Sequence, residues 1–279
     1  MTVFPDYLLV GHVAHDETPV GPKLGGSVSY AGSAASALGA QVAIVTSAQH
    51  DEVVLAALPN QAKVHLIEAS ESTIFVNTYV GTVRHQVLRS RATPLSLKDI
   101  PAEWQQARIV HLAPLDDEVD PQLARAFPDA FRVATPQGWM RTWDSEGVVR
   151  PKRWTDAEIL LPLLSTAVLS EEDIQFDREL EAYYASLAQL LVVTRAAKGC
   201  TVYQKNEQPI DIAAPVVQVV DPTGAGDVFA GVFVVMMQRT TNIRHAADVA
   251  TQLASMSVTR VGLEGIPVPA DIERVGVRS

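Results

Sequence analysis

The sequence predicts an α/β fold of three layers, α/β/α, with a mostly parallel central sheet and a small β lid. Three observations predict it. Short apolar runs of strand length recur along the chain, most of them separated by helical stretches. That alternation implies parallel strands with helices on both faces of the sheet. Residues 72–90 break the rhythm with two successive β-prone segments of mixed polarity, which read as a hairpin outside the core. Finally, Asp221-Pro222-Thr223-Gly224-Ala225-Gly226-Asp227 joins an apolar run to an apolar helix, and ligands in such sheets bind beyond the carboxyl ends of strands.

Taken in order, Tyr7–Val10 is a short apolar strand that stops at Gly11. From Gly25 to Gly39 the residues are small and apolar, including Ala31, Ala34, Ala35 and Ala37. That reads as a tightly packed helix ended by Gly39. Residues 42–46 and 64–67 are the next strands. In the hairpin, Gly81 separates residues 72–80 from 82–89, and Phe75, Asn77 and Tyr79 alternate, so they share one face. After Pro94 the strands are 108–112, 131–134, 167–169, 191–194 and 201–203, with helices at 116–127, 155–161 and 177–189. Residues 215–220 read as a buried strand, 228–238 as a buried helix and 243–260 as a last helix.

Bulk properties narrow the function. A chain of 279 residues, 47% hydrophobic, suits one large domain. No apolar run approaches a membrane span, and Met1-Thr2-Val3-Phe4-Pro5-Asp6 lacks the basic start of a secretory signal. The single cysteine, Cys200, fits a reducing compartment, so a cytoplasmic location is expected. A formal net charge of −10 argues against nucleic acid as a partner. Neither a Gly-x-x-x-x-Gly-Lys-Ser/Thr loop nor a Gly-x-Gly-x-x-Gly after the first strand is present, which excludes two common nucleotide-binding folds.

The glycine-rich turn carries the chemistry. A helix start leaves backbone N–H groups without partners, and with the helix dipole they form an anion site. Asp227 sits inside that site. One reading makes it an ordinary first-turn acid, the glycines serving a tight turn. The other makes it the group that takes the proton from a hydroxyl attacking a phosphoryl group.

Several motifs, in one order, decide between these readings. Gly11-His12-Val13-Ala14-His15-Asp16, the Gly25-Gly26 opening of a helix ending Ala37-Leu38-Gly39, Val193-Thr194-Arg195-Ala196-Ala197-Lys198-Gly199, the segment 221–227, and Ser255-Met256-Ser257-Val258-Thr259-Arg260-Val261-Gly262 together resemble the ribokinase-like (PfkB) family of carbohydrate and nucleoside kinases. The resemblance spans nearly the whole chain. Within the family it leans to the plant-type myo-inositol kinase branch, on His15-Asp16, Leu24-Gly25-Gly26-Ser27-Val28-Ser29-Tyr30, Glu71-Ser72-Thr73-Ile74-Phe75 and Gln137 with Arg141.

The resemblance implies one PfkB-type kinase domain over 1–279, its lid contributed by about 13–24 and 72–90. It implies Asp227 as general base and Gly224, Ala225 and Gly226 as the anion hole. Asp16, Gly25, Gly26, Tyr30, Phe75 and Gln137 would bind the acceptor substrate; Thr194, Arg195, Gly199, Thr223, Thr251 and Gly262 would line the ATP site. Asp173 would hold Mg²⁺ through water, and Asp221 a monovalent cation such as K⁺. His15 either lines the pocket or caps the strand. Gln137 reads as functional and Arg141 as an ordinary surface residue.

Three positions depart from the family pattern. Tyr30 stands where Asn is frequent, which speaks against ribose; Ser170-Glu171-Glu172-Asp173 replaces Asn-x-x-Glu, with a shorter carboxylate; and Ala196 replaces a Gly, which strains the chain if the site needs a positive φ.

The expected function is therefore ATP- and Mg²⁺-dependent phosphorylation of a hydroxyl on a small polyol, cyclitol or sugar. No membrane or nucleic-acid partner is expected, and the chain would be a monomer or a homodimer joined through the lid. Two alternatives stand: a nucleoside kinase of the same family, since Phe75 and Tyr79 could stack a base, or a non-catalytic sensor derived from a kinase.

Overall fold

Strand β1 (Tyr7–Val10) is buried on both faces. Its four side chains alternate between two cores, Tyr7 and Leu9 on one side and Leu8 and Val10 on the other. The computed structural model describes residues 4–18, 21–50, 55, 56, 58–80 and 83–277. Around β1 lie β4 (Val42–Ala48), β5 (Lys63–Glu68), β8 (Ile109–Leu112), β9 (Phe131–Ala134), β12 (Thr166–Ser170), β13 (Leu190–Thr194), β14 (Cys200–Gln204) and β15 (Ile210–Ile212). They form one sheet in the order β15-β14-β13-β12-β9-β8-β1-β4-β5. The members from β13 to β5 pair in parallel, while β14 and β15 run antiparallel at one edge.

The first core is covered by α1 (Ser27–Ala37), α5 (Ala225–Thr240) and α6 (Ile243–Ser257). The second is covered by α2 (Leu123–Ala126), α3 (Ala157–Leu160) and α4 (Arg178–Leu187). A short α7 (Pro269–Arg274) ends the described chain. This is the α/β/α arrangement that the strand–helix alternation predicts. Asp177 caps α4 by accepting from the Glu179 and Leu180 amides, and Asn242 caps α6. Among the described residues, no helix is long and apolar enough to cross a membrane.

The lid is a separate sheet of β2 (Ala14–Thr18), β3 (Gly21–Gly25), β6 (Thr73–Val80) and β7 (Val83–Ser90), ordered β3-β2-β6-β7. Its strands fall where residues 13–24 and 72–90 predict them. The Gly81 turn lies outside the described residues, as does the Tyr79 side chain. Ala14, Phe75 and Leu88 pack with Leu115 of the body beneath this sheet. A hairpin of β10 (Arg141–Trp143) and β11 (Val149–Pro151), not anticipated from the sequence, buttresses it, the Leu88 amide donating to Gly147 O at 2.8 Å.

Two expectations fail. Residues 215–220 form no strand, and Val216, Val219 and Val220 are exposed. The β14–β15 hairpin has already closed that edge, so the segment runs outside the sheet until the Val220 and Asp221 amides reach Val258 O. Residues 116–127 are helical only over Leu123–Ala126. The stretch before it wraps around the buried Glu118 carboxylate, which accepts from the amides of His12, Leu115 and Asp116, and Asp117 takes a positive φ of 64°.

Candidate active site

Helix α5 starts at Gly224, whose φ of 74° is left-handed. A side chain there would collide with the Tyr30 ring, so the position needs glycine twice over. The Ala225 amide turns back to Pro222 O at 3.3 Å. The amides of Gly226 and Asp227 lie in the first turn, where a helix supplies no acceptor. Gly226 is exposed and has open space beside it. Of the three residues expected to make the anion hole, Ala225 is thus committed to the turn, and Gly224 and Gly226 give it shape and access.

Asp227 is half-buried in this turn. Burial pushes its pKa up to about 6, the Asp173 carboxylate adds to the rise, and a hydrogen bond with Ser27 and the charge of Arg141 oppose it. The dipole at the helix N-terminus favours the ionised form; desolvation outweighs that effect. At neutral pH it remains mainly a carboxylate, with a proton affinity suited to a base.

The lid faces this acid with Asp16. In the β2–β6 register Asp16 lies beside Phe75, and in the β2–β3 register it lies opposite Lys23. Side chains alternate along a strand, so Asp16 shares the body-facing side with buried Ala14. Gly25 lies beside it: a Cβ on Gly25 would stand 3.6 Å from Asp16 Oδ2. Gly26 has a φ of 98° and packs against the β1–β2 link, where a Cβ would meet His12 O at 2.8 Å. Tyr30, only 3% exposed, forms the floor between the lid and α5. Its phenol pKa is pushed up by burial and by the charges of Asp221, Asp227 and Asp16. The charges of these three carboxylates thus all act on one ring.

Asp173 stands across from Asp227. Its Oδ1 accepts from Gln137 Nε2 at 3.0 Å and its Oδ2 from the Ser170 amide at 2.8 Å. Gln137 thus orients Asp173. Each oxygen of Asp173 keeps a lone pair, so the hard oxygens of Asp173 and Asp227 suit Mg²⁺ held through water. Arg141, read from the sequence as a surface residue, lies 5.9 Å over the Phe75 ring and contributes to the field at Asp227. It belongs to the site.

The expected nucleotide residues divide. Thr194 ends β13 and Gly199, φ 92°, approaches the backbone of Ile212 too closely for any side chain. Ala196 does adopt a positive φ, 47°. The Arg195 side chain points elsewhere: its guanidinium is held by Glu171, Glu181 and Thr201, with Tyr203 on the same Glu181. The Thr251 hydroxyl is buried, donating to Ala247 O at 2.7 Å and facing Cys200. Both side chains are thus engaged within the protein. Thr223 and Gly262 converge on Asp221: the Thr223 amide donates to Oδ1 at 3.0 Å and the Gly262 amide to Oδ2 at 3.1 Å. Lys23 Nζ lies 3.0 Å from the same Oδ2. Burial pushes the Asp221 pKa up, but these hydrogen bonds outweigh it and hold it below the usual range.

Sequence reasoning missed Ser27, Lys23 and the network at the lid's roots. In that network His12 donates from one ring nitrogen to Thr93 O and lies against Thr73 and Asp116 with the other, while Arg91 faces Asp116. The His12–Asp116–Glu118 group has the composition of a metal site, yet both Glu118 oxygens are spent on backbone amides. Ser27 could have been found, since it follows the Gly25-Gly26 pair directly.

Comparison with known proteins bears on the family and the fold. The family model described as "pfkB family carbohydrate kinase" matches residues 33–271. The bifunctional protein HldE of Azorhizobium caulinodans is 24% identical over 85% of the chain, which spans only 53% of that protein's length. The cytidine kinase of Thermococcus kodakarensis is 27% identical over 82% of the chain and 87% of its own. A pyrophosphate-dependent kinase of the ribokinase family, solved with a pyrophosphate analog and myo-inositol, superposes with a TM-score of 0.80 at 21% identity, over 96% of this chain and 99% of the other.

Proposed function

The chain belongs to the pfkB family of carbohydrate kinases, and from that premise we propose that it transfers the γ-phosphoryl group of ATP to a hydroxyl of a small polyol, cyclitol or sugar. The observation that carries this reading is the half-buried Asp227, raised to about 6, at the start of α5 and facing the lid acid Asp16 around one Tyr30 ring.

Asp16 accepts hydrogen bonds from acceptor hydroxyls, and Gly25 leaves space for them beside it. Phe75 covers the acceptor from the lid and excludes water. Asp227 takes the hydroxyl proton as its oxygen forms the new O–P bond and the bond to the leaving diphosphate breaks. The Gly226 and Asp227 amides face the charge that develops. Mg²⁺, held through water by Asp173, would neutralise donor phosphate charge. Alignment of the two reactants under the lid can supply about 7–11 kcal/mol of the barrier.

The solved neighbour's myo-inositol supports a cyclitol among the acceptors. Its pyrophosphate donor motivates a second reading. The Arg195 and Thr251 side chains are engaged within the protein, which supports a donor that does not need them.

Turnover over cyclitols, hexoses, pentoses and nucleosides, with ATP and with pyrophosphate, tests both readings. ADP release with a cyclitol or sugar, abolished in Asp227→Asn, is expected. Release of phosphate from pyrophosphate alone would select the second donor. No turnover with any pair would overturn the kinase assignment to this site.

A further inference from the structure

We propose that Lys23 is the resident cation of the phosphoryl-transfer site, so that Asp221 takes no metal cation and the lid reports its position directly to the anion site. This rests on the kinase reading above and goes beyond it.

Asp221 is 7% exposed and opens the turn that leads to Gly224. A buried carboxylate needs a counter-ion. The expected monovalent metal does not fit its surroundings. Oδ1 accepts the Thr223 amide, and Oδ2 accepts both the Gly262 amide at 3.1 Å and the Lys23 ammonium at 3.0 Å. N–H donors are aimed at both oxygens, and a cation already stands on one of them. The side chain of Lys23 is 36% exposed, whereas that of Asp221 is 7% exposed.

The position of Lys23 makes this more than neutralisation. It belongs to lid strand β3, 198 residues from its partner. Across the β2–β3 ladder it stands opposite Asp16. Asp16, Asp221, Asp227 and Asp173 are four acids at the proposed site, and the charges of three of them act on the Tyr30 ring. Lys23 offsets this charge only while the lid lies on the body. Moving β3 away strips Asp221 of its cation and loosens the turn that shapes the anion site. Lys23 is therefore a positioning residue, acting on the donor through Asp221.

The test compares the parent, Lys23→Met and Lys23→Arg in potassium, ammonium or choline chloride at equal ionic strength. The parent should be indifferent to the salt within about twofold. Lys23→Met should lose turnover by about tenfold or more and raise the donor KM more than the acceptor KM. Ammonium or potassium, but not choline, should restore several-fold of that loss. Lys23→Arg should keep most activity. Parental dependence on potassium would overturn the proposal. So would a Lys23→Met loss that neither small cations nor Lys23→Arg relieves. If no acceptor is turned over at all, the kinase reading has failed; thermal melting of Lys23→Met then decides. Its lowered midpoint must rise with ammonium and not with choline, or the resident-cation proposal fails as well.

Discussion

Replacing Asp227 by Asn should destroy activity and stabilise the protein. The folded pKa of about 6 lies above the carboxylate's ordinary 3.8, so the fold prefers the protonated form. That preference contributes stability below the unfolded value and is lost as pH rises through about 6. Two pH units at about 1.4 kcal/mol each put the cost of the ionised group near 3 kcal/mol above pH 7. Because Asp227 is only half-buried, we expect about 1–3 kcal/mol, or a rise in Tm of about 2–6 °C for a chain of this size. Asn keeps an oxygen for the Ser27 hydroxyl and removes the charge. Scanning calorimetry of both proteins between pH 4 and pH 8.5 reads the effect. The gap between their Tm values should be near zero at pH 4 and open through pH 6. In the same range parental kcat/KM should rise with pH, with a limb near 6, while Asp227→Asn stays flat, about 10²–10⁴-fold below the parental plateau. Equal Tm values at pH 8.5 would refute the claim that burial sets the acid's proton affinity. Retained activity would refute its role as base.

Other perturbations read other parts of the site. Gly224→Ala places a Cβ into the Tyr30 ring at a left-handed φ, so we expect about 1–3 kcal/mol of lost stability and a roughly 10²–10³-fold lower kcat; normal kinetics would show that this turn does not shape the anion site. Asp16→Asn should raise the acceptor KM about 10–100-fold and leave the donor KM alone; an equal rise in both would remove Asp16 from the acceptor. Arg195→Met removes the more buried of the two guanidinium groups that Glu171 and Glu181 share and leaves only Arg178, so urea denaturation should show a loss of about 1–3 kcal/mol. Unchanged stability with a raised donor KM would return Arg195 to the nucleotide.

What the sequence made legible was local. Tyr7–Val10 and Phe131–Ala134 stand where the apolar runs put them, and the lid was readable because residues 72–90 alternate in polarity. The Asp227 turn was readable because strand-breaking glycines and a helix start leave a local signature. The 215–220 run misled because apolarity alone does not say whether a sheet edge is vacant; β15 had taken it. Arg195 shows a related limit: a loop motif fixes backbone position, whereas its side chain follows Glu181 on α4. Lys23 was invisible for the opposite reason: its partner is remote in sequence, and no periodicity encodes such a contact.

The place of β1 has a consequence for synthesis. Its residues are made before both strands that flank them, yet they are wholly buried between β4 and β8. Val10 pairs with Val45 on one side and with Leu112 on the other. At about 5–20 residues per second, the roughly 100 residues separating Val10 from Leu112 take about 5–20 s to appear. Throughout that interval the nascent chain displays Tyr7, Leu8, Leu9 and Val10 with one flank unpaired. A chaperone that binds exposed apolar segments of an emerging chain would find one there, and slowing translation before residue 112 should lengthen that encounter.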